Sequence, residues 1–150
     1  MIAIKQQLYN LCQEFISKRI LAARQAIEEA QAAANEETKS SSGDKYETGR
    51  AMAQLEIEKN SAQLAEAFNT KRSLEQIKID KQTDKALPGS LVITDNGNFF
   101  ISISVGELVV ENVTYIAVSA QSPAGARLMG LEVGATFALG SRTYRISQLW

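Results

Sequence analysis

The first 80 residues contain no proline, and their apolar residues recur at spacings of three and four. This spacing is typical of a helix that buries one face against a partner helix. The first stripe consists of Ile4, Leu8, Leu11 and Phe15, followed one residue out of step by Ile16, Ile20, Ala23, Ile27, Ala30 and Ala34. Because its last members are alanines, we expect the partner helix to approach closely toward residue 34.

A cluster of turn-forming residues at Thr38–Gly43 interrupts the helical pattern, which then restarts. The second stripe consists of Ala53, Ile57, Leu64, Ala67 and Leu74, flanked by Met52, Leu55, Phe68 and Ile77. Each arm has about 35 residues and, as a helix, a length of roughly 50 Å. Two such arms, near 3–36 and 44–79, predict an antiparallel helical hairpin with its tip at about 38–47. A straight coiled coil that dimerises is the alternative.

The composition changes near residues 80–90: both prolines and most glycines follow this point, and β-branched residues cluster after it. The apolar runs that follow predict strands at 90–94, 99–104, 107–111, 113–119, 136–139 and 144–149. The Asp95–Asn98 turn joins the first two strands, and Ser122-Pro123 predicts a short helix at 124–129. The chain is therefore predicted to be an α+β protein, with a helical hairpin at 1–80, a linker at 81–87 and a small β-rich domain at 88–150.

Composition excludes several classes of catalytic and metal site. The chain has no histidine, which removes Ser/His and Cys/His nucleophiles and His-ligated metals. The single cysteine, Cys12, lies in an apolar stretch and is expected to be a packed thiol. A formal net charge of −1 argues against binding nucleic acid through bulk positive charge. No apolar run is long enough to span a bilayer, and the N-terminus lacks the pattern of a signal peptide, so we expect a cytoplasmic protein.

An acidic pair, Asp44 and Glu47, lies where the second helix is predicted to begin. Residues three apart share a helix face, and the helix dipole favours negative charge at this end. One interpretation is a capping box, in which Asp44 accepts from the backbone N–H of Glu47. The other is a pair that completes a metal site owned by another molecule, because two carboxylates alone hold Mg²⁺ weakly. Lys39, Lys45 and Arg50 surround the pair, where they either contact phosphates or balance its charge.

These residues resemble the Gre family of bacterial transcript cleavage and elongation factors. Gly43-Asp44-x-x-Glu47 is similar to the glycine and acidic pair at the tip of the family's hairpin. The run 88–92, Pro-Gly-Ser-Leu-Val, is similar to the family's entry into its C-terminal domain. The run 122–134 is similar to its Ser-Pro…Leu-Leu-Gly-Lys-x-x-Gly pattern, and 144–146 to its closing strand. The resemblance covers most of the chain.

The resemblance implies a long antiparallel coiled-coil hairpin followed by a small FKBP-like α+β domain. It implies that the hairpin enters the secondary channel of RNA polymerase and that the second domain docks on the outer rim. Asp44 and Glu47 would then help bind the catalytic Mg²⁺ shared with polymerase and activate water to cut backtracked RNA near its 3′ end. The chain would be an accessory transcription elongation factor rather than an enzyme, without a cofactor of its own, a membrane contact or a small-molecule substrate. The implied docking residues are Ser122, Pro123, Arg127, Leu128 and Met129.

The tip departs from the family, which continues with Asn-Ala-Glu-Tyr where this chain has Thr48-Gly49-Arg50-Ala51. The difference bears on RNA cleavage more than on polymerase binding, since some relatives occupy the channel and modulate transcription without cleaving. Three alternatives stay open: a secondary-channel modulator or inhibitor, a helical-hairpin scaffold with capping acids, and a prolyl isomerase built on the FKBP-like half. A fold does not by itself assign a function.

Overall fold

The computed structural model describes the backbone of residues 1–39 and 43–150, and the side chains of residues 1–36 and 47–150. Two long helices come first, α1 (Ile2–Lys39) and α2 (Gly43–Glu75). Within the described ranges, a sheet and a short helix follow: β1 (Leu91–Thr94), β2 (Gly97–Ser102), β3 (Gly106–Val110), β4 (Val113–Ser119), α3 (Pro123–Leu128), β5 (Thr136–Leu139) and β6 (Arg142–Leu149). The predicted α+β class is confirmed. Neither long helix, over the residues described, is apolar enough to cross a membrane.

The chain divides into two compact units, and each contains parts of both long helices. The first unit is Met1–Phe15 with Arg72–Trp150, and the second is Ile16–Lys71. In the first, the Tyr9 hydroxyl donates to the Leu74 carbonyl oxygen at 3.2 Å. In the second, the Arg24 guanidinium lies 5.3 Å from the centroid of the Phe68 ring. The helices therefore contact each other within each unit, while the predicted domain boundaries at 80 and 88 stay a prediction.

The buried stripe of α1 is continuous from its first turns. It consists of Lys5, Leu8, Cys12, Ile16, Ile20 and Ala23, at spacings of three and four. The predicted displacement of the stripe after Phe15 is wrong, because Ile4, Leu11 and Phe15 are half-buried beside the stripe instead of forming it. The prediction followed the aliphatic residues alone. It missed two positions of the buried stripe because a lysine and a cysteine occupy them.

The second helix ends at Glu75, four residues before the predicted end at 79. The Ile77 N–H donates to the Leu74 carbonyl oxygen at 3.1 Å, which is the tightened last turn common at helix ends. The chain beyond packs against Gly89, where a β-carbon would overlap the Lys78 carbonyl oxygen and where φ is +96°. This tertiary contact, which requires glycine at 89, overrides the helix-favouring composition of residues 76–79.

The sheet is mixed, with the strand order β3-β4-β2-β1-β6-β5. β2 and β4 are parallel, whereas the other neighbouring strands are antiparallel. One face carries a buried apolar cluster that includes Leu128 of α3; its other members are Ala86, Val92, Phe99, Ile101, Val118, Phe137, Tyr144, Ile146 and Leu149. Because side chains alternate along a strand, Ser102 points to the opposite face, where its Oγ lies 3.5 Å from Cys12 Sγ.

Three two-residue turns connect neighbouring strands, at 95–96, 111–112 and 140–141, and the sequence analysis predicted only the first of them. A turn lies where Asp95–Asn98 was predicted, but its loop is only Asp95-Asn96, because Gly97 and Asn98 already pair with β1. The Asp95 carboxylate accepts from the Arg145 N–H at 2.8 Å, which ties the turn to β6. Glu111 and Asn112 join β3 to β4 with φ angles of 51° and 63°. Two left-handed residues in a two-residue loop are typical of a type I′ turn, for which glutamate is an unusual choice.

Cys12 provides a test of the packing of α1 in the first unit. Its side chain is fully buried, and burial raises the pKa of the thiol, with the Ser102 hydroxyl opposing part of that shift. Because a buried thiol reacts only after local opening, we expect an aromatic disulfide reagent to modify it at least about 100-fold more slowly in the native protein than in denaturant. Absorbance of the released thiolate follows the reaction, with free cysteine at the same pH as the control. A native rate within a few-fold of the denatured rate would contradict this packing.

Candidate functional site

The acidic pair lies in the first turns of α2. The helix begins at Gly43, so Asp44 falls inside its first turn rather than at the position before the helix that the capping-box interpretation assigns to it. Glu47 is exposed, one turn further along the same face. The side chains of Lys39, Asp44 and Lys45 lie outside the described residues. The geometry therefore keeps Glu47 available to a partner and places both acids at the positive end of the α2 dipole.

The surface of α2 just beyond the pair carries a cation and two large apolar side chains. Arg50, one of the three cations that the sequence places around the pair, is exposed. Met52 and Leu55 are 64% and 65% exposed and, being three residues apart, share a helix face. The sequence analysis placed them beside the buried stripe, yet the structure leaves them in solvent. Neighbouring exposed apolar side chains favour a surface that contacts another molecule.

The start of α3 is fixed by hydrogen bonds to the end of β4. The Ser122 hydroxyl donates to the Ser119 carbonyl oxygen at 2.7 Å and accepts from the Gly125 N–H at 3.1 Å. Pro123 follows in the first turn, where its missing N–H costs nothing. The predicted N-cap is therefore confirmed. Ser122 and Pro123 set the direction of α3. A partner that binds this helix would therefore contact a rigid element.

The remaining predicted docking residues have different surroundings. Arg127 is exposed, and its Nη1 donates to the Ala138 carbonyl oxygen at 2.9 Å. Leu128 is fully buried in the apolar cluster, and Met129 packs against that cluster while half-buried. Arg127 is thus the member that can contact a partner with its charged group, whereas Leu128 can only hold α3 in place from beneath.

Three aromatic residues of the sheet pack against one another in its buried core. Phe99 contacts Phe137 and Tyr144 edge-on, with ring centroids 6.1 and 5.5 Å apart. Phe137 and Tyr144 are stacked, with centroids 5.0 Å apart and planes at 8°. Each of the three is at most 8% exposed. A pocket for a substrate proline needs apolar walls open to solvent, and these three rings are not available for one.

Two polar side chains are buried on the helical stripes, and the sequence analysis missed both. Lys5 is 1% exposed, and its ammonium donates to the Lys81 carbonyl oxygen at 3.4 Å. Asn60 is 9% exposed, and its Nδ2 donates to the Glu56 carbonyl oxygen at 2.9 Å. Lys5 lies three residues before Leu8, and Asn60 continues the spacing of the second stripe. That spacing was the one sequence signal by which they could have been found.

The comparisons with known proteins give no functional assignment, so a function has to be argued from the residues themselves. No protein-family model matches this chain, and no curated protein matches it. The chemistry available at the start of α2 and around α3 is that of carboxylates, hydroxyls and cations, because the chain has no histidine and its one thiol is buried. Such groups bind metals through oxygen and phosphates through charge.

Proposed function

We propose that this chain is a Gre-like factor that binds RNA polymerase and places Asp44 and Glu47 beside the catalytic Mg²⁺ to stimulate cleavage of backtracked RNA. The observation that carries the proposal is the position of the pair, at the junction of helices of 38 and 33 residues. Helices of this size are roughly 50 Å long, which suits a projection that enters a channel. The chain would act in the bacterial cytoplasm, where polymerase works.

The proposal includes a finer description of the fold, an antiparallel coiled-coil hairpin followed by an FKBP-like domain. Two contacts support the hairpin: Tyr9 meets Leu74, and further along α1 Arg24 meets Phe68. The partner on α2 moves backward as the residue on α1 moves forward, as antiparallel helices require. The mixed sheet with α3 across one face supports the second domain.

The proposed chemistry uses carboxylates as ligands for an ion that polymerase also holds. Asp44 and Glu47 would each supply an oxygen, and polymerase and the RNA phosphate would supply the others, because Mg²⁺ prefers six oxygen ligands in a regular octahedron. A carboxylate of the pair would also orient the attacking water. Lys39, Lys45 and Arg50 would contact phosphates near the RNA 3′ end.

A modulator that occupies the channel without cleaving RNA is the second candidate. The run Thr48-Gly49-Arg50, which replaces the family's residues after the pair, favours it. Exposed Met52 and Leu55 favour it too, because an apolar pair next to the acids suits binding rather than metal chemistry. Both candidates require polymerase binding, and they differ in the products that they predict.

A stalled elongation complex with labelled RNA and Mg²⁺ tests the proposal. Added protein should co-purify with core polymerase and should release short 3′ products from backtracked complexes. Binding with slowed elongation and without such products would refute the cleavage function and support the modulator. Failure to bind polymerase at micromolar protein would refute both and leave the scaffold alternative.

Arg127 tests the docking part of the proposal. We expect Arg127→Glu to weaken polymerase binding by about tenfold or more, because it reverses a charge at the proposed contact surface. The variant loses its hydrogen bond to Ala138, which should cost about 1 kcal/mol of folding stability and leave the protein folded. Arg145→Glu is the matched control, since Arg145 is exposed on β6 between the core residues Tyr144 and Ile146 and so points away from α3. The affinity of each variant for polymerase is measured by pull-down titration. Equal affinities would contradict docking through α3.

A further inference from the structure

A cavity of about 290 Å³ lies where the start of α1, the segment after α2 and the end of β6 meet. All of its walls belong to the first compact unit. The lining residues are Met1, Ile2, Ala3, Lys5, Gln82 and Trp150. Four of these six side chains are apolar or largely so, and Lys5 is the only cation among them. The cavity therefore combines a cationic side chain with an apolar wall.

The Lys5 ammonium is incompletely paired within the described part of the chain. An ammonium has three N–H donors, and the structure gives this one a single acceptor, the Lys81 carbonyl oxygen, at 3.4 Å. Burial lowers the pKa of Lys5, and the nearby Asp80 carboxylate opposes part of that shift. Lys5 as a residue is 1% exposed, and the ammonium of a buried lysine is normally held by a partner that satisfies its hydrogen bonds. An anion in the cavity would supply that partner.

The other polar groups of the cavity are already engaged. The Gln82 side-chain amide donates to the Leu149 carbonyl oxygen at 3.2 Å, and the Trp150 indole N–H donates to Gln148 Oε1 at 3.1 Å. The indole ring is left with apolar faces. Ile2 is 59% exposed and borders the same cavity, so its side chain is accessible to a ligand there. A ligand that covers Ile2 and contacts the indole must itself have an apolar body.

We propose that this cavity binds a small carboxylic acid with an apolar body, its carboxylate on Lys5 and its hydrocarbon part against Trp150 and Ile2. Ile2 and Ala3, the first residues of α1, border the cavity, and the positive end of a helix dipole favours negative charge nearby. The volume suits a short free acid and is below the range of sites for larger ligands. The site is independent of the proposed action on polymerase, because it uses none of the tip or α3 residues.

Trp150 is the single tryptophan, so its fluorescence reports on the cavity directly. Hexanoate titrated into the full chain should change the emission saturably. Hexanamide, which has the same shape without the charge, should bind about tenfold more weakly, since a charge-assisted hydrogen bond is roughly twice as strong as a neutral one. Acetate should also bind more weakly, because it lacks the apolar body.

Three variants complete the test. Lys5→Met keeps the buried stem and should abolish the preference for hexanoate over hexanamide, whereas Lys18→Met, an exposed lysine on the same helix, should preserve it. Ala3→Phe should fill the cavity and remove binding of both ligands in a folded protein, as circular dichroism would verify. The proposal is overturned if hexanoate gives no saturable change, if acetate or hexanamide binds equally well, or if folded Ala3→Phe still binds hexanoate.

Discussion

Gly125→Ala is expected to lower the free energy of unfolding by about 3 kcal/mol, the upper end of the usual cost of overpacking. A β-carbon at 125 would overlap the Ser119 carbonyl oxygen and would lie 2.7 Å from the Ser119 carbonyl carbon and 3.0 Å from the Ala120 Cα. These atoms are backbone and cannot turn aside as a side chain can. Alanine is the better helix former by up to about 1 kcal/mol, so local propensity alone predicts the opposite sign.

Gly130→Ala is the matched control, just beyond the same helix. Gly130 has φ +82°, but among the described residues none other than its chain neighbours comes within 4 Å of the position of its β-carbon. Its cost is therefore conformational, about 1–2 kcal/mol. Thermal unfolding followed by circular dichroism compares the two, and Gly125→Ala should lower Tm by roughly 10 °C in a chain of this size. Equal shifts for the two variants would mean that α3 moves away from β4 at little cost.

The second prediction concerns the tip and has the largest expected effect on activity. If the wild type stimulates cleavage, Asp44→Asn with Glu47→Gln should reduce the release of 3′ products to background, because neutral amides are poor ligands for Mg²⁺. Polymerase binding should be unchanged, since both replacements keep the size of the side chain. Folding stability should fall by less than about 1 kcal/mol, the usual scale of charge effects at a helix start.

Glu58→Gln with Glu66→Gln is the control for the tip variant, because it removes the same charge from exposed positions of the same helix. It should leave cleavage intact. The informative measurement is the rate of product release at saturating protein, where differences in affinity no longer matter. Tip variants that cleave at the wild-type rate would show that the acids only stabilise the start of α2.

The sequence predicted the order of elements because each has a strong local pattern. The strands of β4 and β5 match the predicted bounds residue for residue, and the short helix is displaced by one. The features that the sequence did not predict depend on contacts between residues that are far apart in the chain. The early end of α2 follows from packing at Gly89, and nothing in the local run 76–79 signals it. The burial of Lys5 follows from the meeting of α1 with residue 81, which a helical pattern cannot anticipate.

The candidate site was predictable in part for the same reason. Ser122 as the cap of α3 is a local event, and three residues are enough to signal it. The exposure of Met52 and Leu55 was not predictable, because an apolar residue at helical spacing reads as core unless its neighbours are known. The difference between Arg127, in solvent, and Leu128, in the core, also depends on which face of a six-residue helix meets the sheet.

The pairing of β1 with β6 has a consequence for how the protein is made. Leu91 and Trp150 exchange both backbone hydrogen bonds, at 2.8 and 2.9 Å, although 58 residues separate them. Until a ribosome has delivered β6, one edge of β1 has no strand beside it, and Leu91 and Val92 lack part of their cover. A nascent chain at that stage exposes a short unpaired strand edge, so we expect aggregation to be most probable before synthesis reaches β6 and to fall once β6 pairs with β1.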